Sequence, residues 1–193
     1  MRLIDFLNED KNIPWDKIKQ NCSKFLNDLS STDQFLYSGR KKKGTNFFKE
    51  EVRKDRLPTK TSLVFHNKLD DMFQKKFGIK LRSNSLFVTK FAMSMFNYGK
   101  PFIVFPIGNY KLYSNTEFND LVPCDFWEKN KYELENDEDL QDKVVDTFKS
   151  GYKQIKLKEV SGLQKQEIML VCDSYYALYT NEVNVKQIYD ILK

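Results

Sequence analysis

Glu167 opens the apolar run Ile168-Met169-Leu170-Val171-Cys172, where a carboxylate is costly to bury without a partner. It reads either as a solvated strand end or as a carboxylate at the mouth of a cleft, able to stabilise a developing cation. Upstream, Arg53 and Arg56 stand just before Pro58. They are surface charges by default, yet two arginines beside a constrained turn can also hold a diphosphate bidentately. Residues 82–99, RSNSLFVTKFAMSMFNYG, run from a polar turn into a strand-like stretch and close on Tyr98-Gly99. As packing, Leu86, Phe87, Phe91, Met95 and Phe96 fill a core. As a site, Ser83 and Ser85 supply hydroxyls at a strand start, and Tyr98 projects an aromatic face. The basic run Arg40–Gly44 is a solvated loop or a grip for phosphate or RNA, the latter implying polyanion affinity that falls steeply with salt. His66 sits by the apolar side of a helix and reads as packed and hydrogen-bonded rather than catalytic.

Several widespread sites are missing. The chain contains no GxGxxG, GxxxxGK[ST], GxSxG or HExxH, which argues against a Rossmann dehydrogenase, a P-loop enzyme, an α/β-hydrolase and a zinc protease. One histidine cannot build a multi-histidine metal site, and Cys22, Cys124 and Cys172 form no CxxC pair, so no metal and no disulfide framework are expected. No apolar run approaches the roughly 20 residues of a membrane span. Acidic residues come early in MRLIDFLNED for a signal peptide, so the expected location is the cytoplasm. The net charge of +5 falls short of a dedicated nucleic-acid binder but suits an anionic ligand.

The elements that must position these residues follow from periodicity. A single domain is expected over 1–193, with a helical segment over 1–32, a core over 33–180 and a terminal helix over 181–193. Trp15, Ile18, Cys22, Phe25 and Leu29 recur at helical spacing after Pro14. QFLYSG reads as a short buried strand, and RKKKGTNFFKEEVRKDRLP as a long charged loop. A second helix has Leu63, His66, Leu69, Met72 or Phe73, and Phe77 on one side and stops at Gly78. SLFVT is a strand and KFAMSMFNY a helix; PFIVFPIGNYKLYS is a hairpin or bent strand about Pro-Ile-Gly-Asn. Leu140, Val144, Phe148 and Tyr152 mark a helix behind an acidic first turn. KQIKLKEV and the long apolar KQEIMLVCDSYYALY are strands. Most strands fall after residue 80, which predicts an α+β fold with a sheet more antiparallel than parallel.

Taken in order, FLYSG, RSNSLFVTKFAMSMFNYG and QEIMLVC resemble the three-part signature of the ADP-ribosyltransferase superfamily. Those enzymes carry Arg-Gly or His-Gly at the end of a first strand, then either a Ser-containing strand or a G-x-Y-F-x strand leading to a helix with a Tyr, then a strand-borne Glu. Tyr37-Ser38-Gly39, the stretch Ser83 to Thr89 with Tyr98, and Glu167 stand at those places. A wider pattern is similar to a group of small proteins of tailed bacteriophages. It runs through Arg53, Asp55, Arg56, Pro58, Thr61, His66, Leu69, Asp70, Phe77, Gly78, Arg82, Ser83, Ser85, Phe87, Tyr98 and Phe105 to Gly108.

The resemblance implies an ADP-ribosyltransferase-like fold with a split, mixed or antiparallel sheet, an N-terminal helix and flanking helices. It implies NAD as substrate, bound between two small sheets, with nicotinamide leaving through an oxocarbenium-like transition state. Glu167 would be catalytic and hold the ribose; Tyr98 would stack on nicotinamide, and Ser83 or Ser85 would brace the wall. Arg40, Arg53, Arg56 and Arg82 would be candidates for the diphosphate, with Ser38 and Gly39 at the first motif. The acceptor would be a host protein or nucleic acid in the host cytoplasm. Two departures qualify what is implied: Ser38 stands where Arg or His is expected, and Lys165 stands two before Glu167, where arginine-modifying members carry an acid or amide. The alternative is a degenerate transferase fold that binds a nucleotide or a host protein.

Overall fold

A computed structural model describes residues 13–32, 34–41, 46–58, 62–117, 137–164 and 166–179. The expected terminal helix, Cys124, Lys165 and most of the basic run after Lys41 lie outside the described residues.

The N-terminal apolar stripe forms two short helices, α1 (Trp15–Asn21) and α2 (Ser23–Leu29), which meet at Cys22. Ile18, Cys22, Phe25 and Leu29 are buried as their spacing predicts. Strand β1 (Tyr37–Arg40) follows, and then β2 (Phe47–Glu51). The second of these corrects the expected long loop. β2 is an edge strand pairing with β8 on one side only, and its side chains are half-buried or exposed, so it lacks a hydrophobic alternation.

Helix α3 (Leu63–Phe77) has conventional ends. The Ser62 side chain accepts from the Phe65 amide at its start, and Gly78 closes it at φ 74°, a left-handed conformation suited to glycine. Its buried face is Phe65, His66, Leu69, Asp70, Met72 and Phe73. Leu63, expected on that face, is exposed.

β3 (Leu86–Val88) leads into a 3-10 helix, Ala92–Tyr98, and then β4 (Lys100–Pro106) and β5 (Lys111–Asn115). Helix α4 (Glu138–Gly151), capped by Asp137, runs into β6 (Tyr152–Ile155). A second 3-10 helix (Leu157–Gly162) precedes β7 (Ile168–Val171) and β8 (Ser174–Tyr179).

The fold is α+β, with two four-stranded sheets ordered β1-β4-β8-β2 and β3-β7-β5-β6, all their pairings antiparallel. β4 and β5 therefore form no hairpin: the turn at Pro106–Tyr110 carries the chain from one sheet to the other. KQEIMLVCDSYYALY likewise is not one strand but two, broken at Cys172-Asp173 and assigned to different sheets. The second sheet is covered on both faces by alternation along its strands. Leu112, Ile168 and Leu170 enter the core shared with the first sheet. Tyr113, Tyr152 and Met169 pack with Phe65, Leu69, Phe73 and Phe148 from α3 and α4.

Where the sheets meet, Tyr37 and Thr89 exchange backbone hydrogen bonds of 2.8 and 2.9 Å. The 3-10 helix lies against this seam, and glycine makes the approach possible. A Cβ on Gly39 would meet the Tyr98 Cβ at 2.7 Å, and one on Gly99 would meet the Arg40 carbonyl oxygen at 2.4 Å. Gly99 also has φ 132°. Gly99→Ala is expected to cost about 2 to 3 kcal/mol. Urea unfolding would show this as a lower midpoint at unchanged m-value.

Candidate functional site

The seam between the sheets opens into a cleft of about 460 Å³, within the range of small-molecule sites. Ser38, Gly39, Arg40, Arg53, Arg56, Ser85, Tyr98 and Glu167 all line it. Residues more than a hundred positions apart thus converge because β1, β3 and the start of β7 meet at one end of the paired sheets.

Ser38 is buried, and its Oγ donates to the Phe87 carbonyl at 3.2 Å, tying β1 to β3. That hydroxyl is spent on structure. Arg40 is two residues on, and side chains at i and i+2 share a face of a strand. Its guanidinium donates through Nη2 to the Tyr175 hydroxyl, which donates in turn to Glu50 Oε2 at 2.7 Å. Burial pushes the Tyr175 phenol above its ordinary range, opposed by Arg40 and reinforced by Glu50. Arg40 Nε and Ser85 Oγ are buried with no hydrogen-bond partner among the described residues. Unpaired donors of this kind are uncommon and suit a ligand rich in acceptor oxygens.

Arg56 is half-buried, with its guanidinium carbon 3.7 Å from the Phe87 ring centroid. Burial pushes its pKa down to about 10; Glu167 opposes the shift, while Arg82, Arg40 and Arg53 add to it. Four arginines and Glu167 therefore share one electrostatic neighbourhood. Because folding disfavours the charged form of Arg56, a cost is fully present below a pH of about 10 and lifts only as pH rises from there toward the ordinary guanidinium value. Glu167 is half-buried just before β7, and its backbone carbonyl accepts from Ser114 Oγ at 2.9 Å. Tyr98 is exposed on the rim, as are Met93 and Phe96. Phe96 and Phe91 are thus surface residues, not the core filling expected of them.

Ser83 and Arg82 do not line the cleft. They are engaged instead with His66 and Asp70 of α3. Sequence reasoning missed Glu50 and Tyr175, because β2 carries no clear alternation and Tyr175 lies within an apolar run that reads only as strand.

Cys22 and Cys172 are buried free thiols, both pushed up to about 12 chiefly by burial, and so are poor nucleophiles. Among the described residues no group of three or more His, Cys, Asp or Glu is arranged to hold a metal ion. Among the same residues no helix is long and apolar enough to cross a membrane. Searches against family models, curated proteins and solved structures return no match to this chain.

Arg56→Met is expected to leave the thermal midpoint of the unliganded protein unchanged or raised, since it removes a desolvated cation among like charges. The same substitution is expected to remove binding of inorganic pyrophosphate by calorimetry. A midpoint several degrees lower would instead make the guanidinium a structural support.

Proposed function

We propose that this protein is an NAD-dependent mono-ADP-ribosyltransferase that passes ADP-ribose to a macromolecule of a host cell. The observation that carries the reading is the meeting of Glu167 with Arg40, Arg53 and Arg56 in one cleft at the junction of two antiparallel sheets. The charge order suits such a ligand: the arginines favour the diphosphate, and the carboxylate favours the cationic sugar. Ser85 and Tyr98, from the second motif, lie on the same cleft.

In the proposed reaction the bond between the ribose anomeric carbon and the nicotinamide nitrogen breaks, and its electron pair leaves with nicotinamide. Positive charge develops on the ribose ring, where Glu167 stabilises it and accepts a hydrogen bond from a ribose hydroxyl. Tyr98 stacks on the nicotinamide, and Ser85 donates to the ligand from the wall. The acceptor nucleophile then bonds to the anomeric carbon and loses its proton. Arg40 supplies the cation that the first motif lacks at Ser38. The fold accordingly falls to the ADP-ribosyltransferase type in this reading, with the core over 33–180.

One observation favours a second reading, a nucleotide- or host-protein-binding module that has lost the chemistry. The Ser38 hydroxyl is committed to the Phe87 carbonyl, so the first-motif position itself offers the ligand nothing.

Labelled NAD incubated with host lysate separates the two. Transfer or NAD cleavage is expected from wild type, with Glu167→Gln slower by about 100-fold or more while NAD affinity stays within about threefold. No cleavage by wild type, with Glu167→Gln indistinguishable from it, would remove the transferase reading. Retained NAD binding without cleavage would leave the binding module.

A further inference from the structure

Behind the cleft wall lies a buried polar network that the proposed reaction does not use. His66 and Asp70, one turn apart on α3, are each 2% exposed. Asp70 Oδ1 accepts from the Arg82 amide at 2.7 Å, and Asp70 Oδ2 accepts from Ser83 Oγ at 2.5 Å. His66 Nε2 lies 3.1 Å from Ser83 Oγ and 3.5 Å from Asp70 Oδ2. Arg82 Nε donates to His66 Nδ1 at 3.3 Å.

These bonds fix the tautomer. An arginine Nε–H can only donate, so His66 Nδ1 holds its lone pair and the ring proton sits on Nε2, where Ser83 Oγ accepts it. Ser83 in turn donates to Asp70. The ring is therefore neutral, and every member is satisfied. This is no nucleophile–base–acid relay: Asp70 and His66 Nε2 converge on one hydroxyl, and the imidazole and carboxylate are sealed from solvent.

The network reaches the cleft through the turn it organises. The Ser83 carbonyl accepts from the Arg56 amide at 3.3 Å, and the Arg56 guanidinium lies over the Phe87 ring at 3.7 Å. Arg82 stands 5.8 Å from the same ring centroid. Both guanidiniums are thus near one ring, and His66 Nδ1 is the acceptor that holds Arg82 at the greater distance.

We infer that the His66–Asp70–Ser83–Arg82 network is a positioning device for Arg56, holding that guanidinium on Phe87 so that the cleft's affinity for phosphates requires a neutral His66. It rests on the proposed function only in taking the ligand to carry phosphates.

A proton on Nδ1 would meet the Arg82 Nε–H head on and add a third cation beside Arg82 and Arg56. The charged groups acting on His66 are Asp70 on its own helix, Arg82 on the turn and Arg56 on the segment after β2. Burial and the two arginines push its pKa down, against Asp70. With the folded value depressed, the ordered network is fully present above the ordinary imidazole value of 6.5 and is lost as pH falls below it.

The experiment is calorimetric titration of the full chain with ADP-ribose, whose diphosphate keeps its charge across the range used. Between pH 7.5 and 5, wild-type affinity is expected to fall about tenfold, and His66→Gln to show no such fall. Protonating Glu50, Glu51 or Glu167 would act in the opposite sense, by raising affinity for an anion. At pH 7.5, Asp70→Asn is expected to weaken binding about tenfold, yet to add nothing to Arg56→Gln in the double variant. Additive losses, or an acid limb that persists in His66→Gln, would overturn the inference.

A ligand-free readout separates its failure from that of the proposed function. In nitrogen-15 NMR, His66 should show the Nε2–H tautomer, and the Arg56 Nε–H resonance should move in Asp70→Asn. If wild type fails to bind ADP-ribose, the proposed function loses its cofactor while this measurement still decides the positioning role. An unmoved Arg56 resonance overturns that role.

Discussion

Two backbone hydrogen bonds between Tyr37 and Thr89, backed by the Ser38 hydroxyl on the Phe87 carbonyl, join sheets that also share a core, and the arrangement of the cleft follows from where that join falls. It sits at the start of β1 and just past the end of β3. The chain beyond each, Ser38–Arg40 on one side and Lys90–Tyr98 on the other, is therefore delivered to the same mouth. β3 pairs with β7 in antiparallel register, Val88 opposite Ile168, so the residue before Ile168 arrives there as well. That residue is Glu167. A bridge one residue out of register would invert which side chains of β1 face the ligand, because strand side chains alternate. Ser38 and Arg40 would then turn away together.

The electrostatics of the cleft favour an anion. Arginines brought within one another's fields repel, and the partial burial of Arg56 adds a desolvation cost that its neighbour Glu167 only partly offsets. Protein stability alone gives no reason to assemble such a group, whereas an anion entering the cleft would relieve it. The buried, unpartnered Arg40 Nε and Ser85 Oγ point the same way, since each leaves hydrogen-bonding capacity unused inside the protein. The cost is carried by the cores on either side, where Phe25, Phe65, Phe73, Phe102 and Phe105 are fully buried.

Much of the local structure was legible from residue type and spacing. α3 announced itself by its apolar spacing and by Gly78 at its end, and α4 by its acidic first turn. The stripe from Ile18 to Leu29 is buried as its period requires. What could not be read was partnership. Phe47–Glu51 has little apolar pattern because an edge strand that only Phe47 and Phe48 pack onto the core needs none, and its identity as a strand comes from β8. PFIVFPIGNYKLYS and KQEIMLVCDSYYALY each contain two runs of strand character, and local propensity cannot say that the runs belong to different sheets. For the site, the order of the motifs brought most of the lining residues into view. It failed at Ser83 and Arg82, whose proximity to Ser85 in sequence hid the fact that the fold spends them on Asp70 and His66 of α3. Phe91 and Phe96 failed for a related reason: the 3-10 helix resting on Gly39 turns only Ala92 and Met95 toward the core, leaving Phe96 outside with Phe91 just before it.

The two sides of the cleft consequently differ in how firmly they are held. The wall on the β3 side is over-determined: Ser38 secures the Phe87 carbonyl, Arg56 covers the Phe87 ring, and the Asp70 carboxylate holds the turn behind it. Groups that must meet charge at a fixed distance belong on such a wall, because reorganisation at the moment of binding would consume the interaction energy. The opposite rim has no buried residue along Ala92–Tyr98 and is kept in place chiefly by its close approach to Gly39 and by the turn at Gly99. Local opening is cheapest where few apolar contacts must be broken. Arg56 is thereby set on the rigid side and Tyr98 on the compliant one. This division suits a ligand whose phosphates are gripped first and whose ring is covered afterwards.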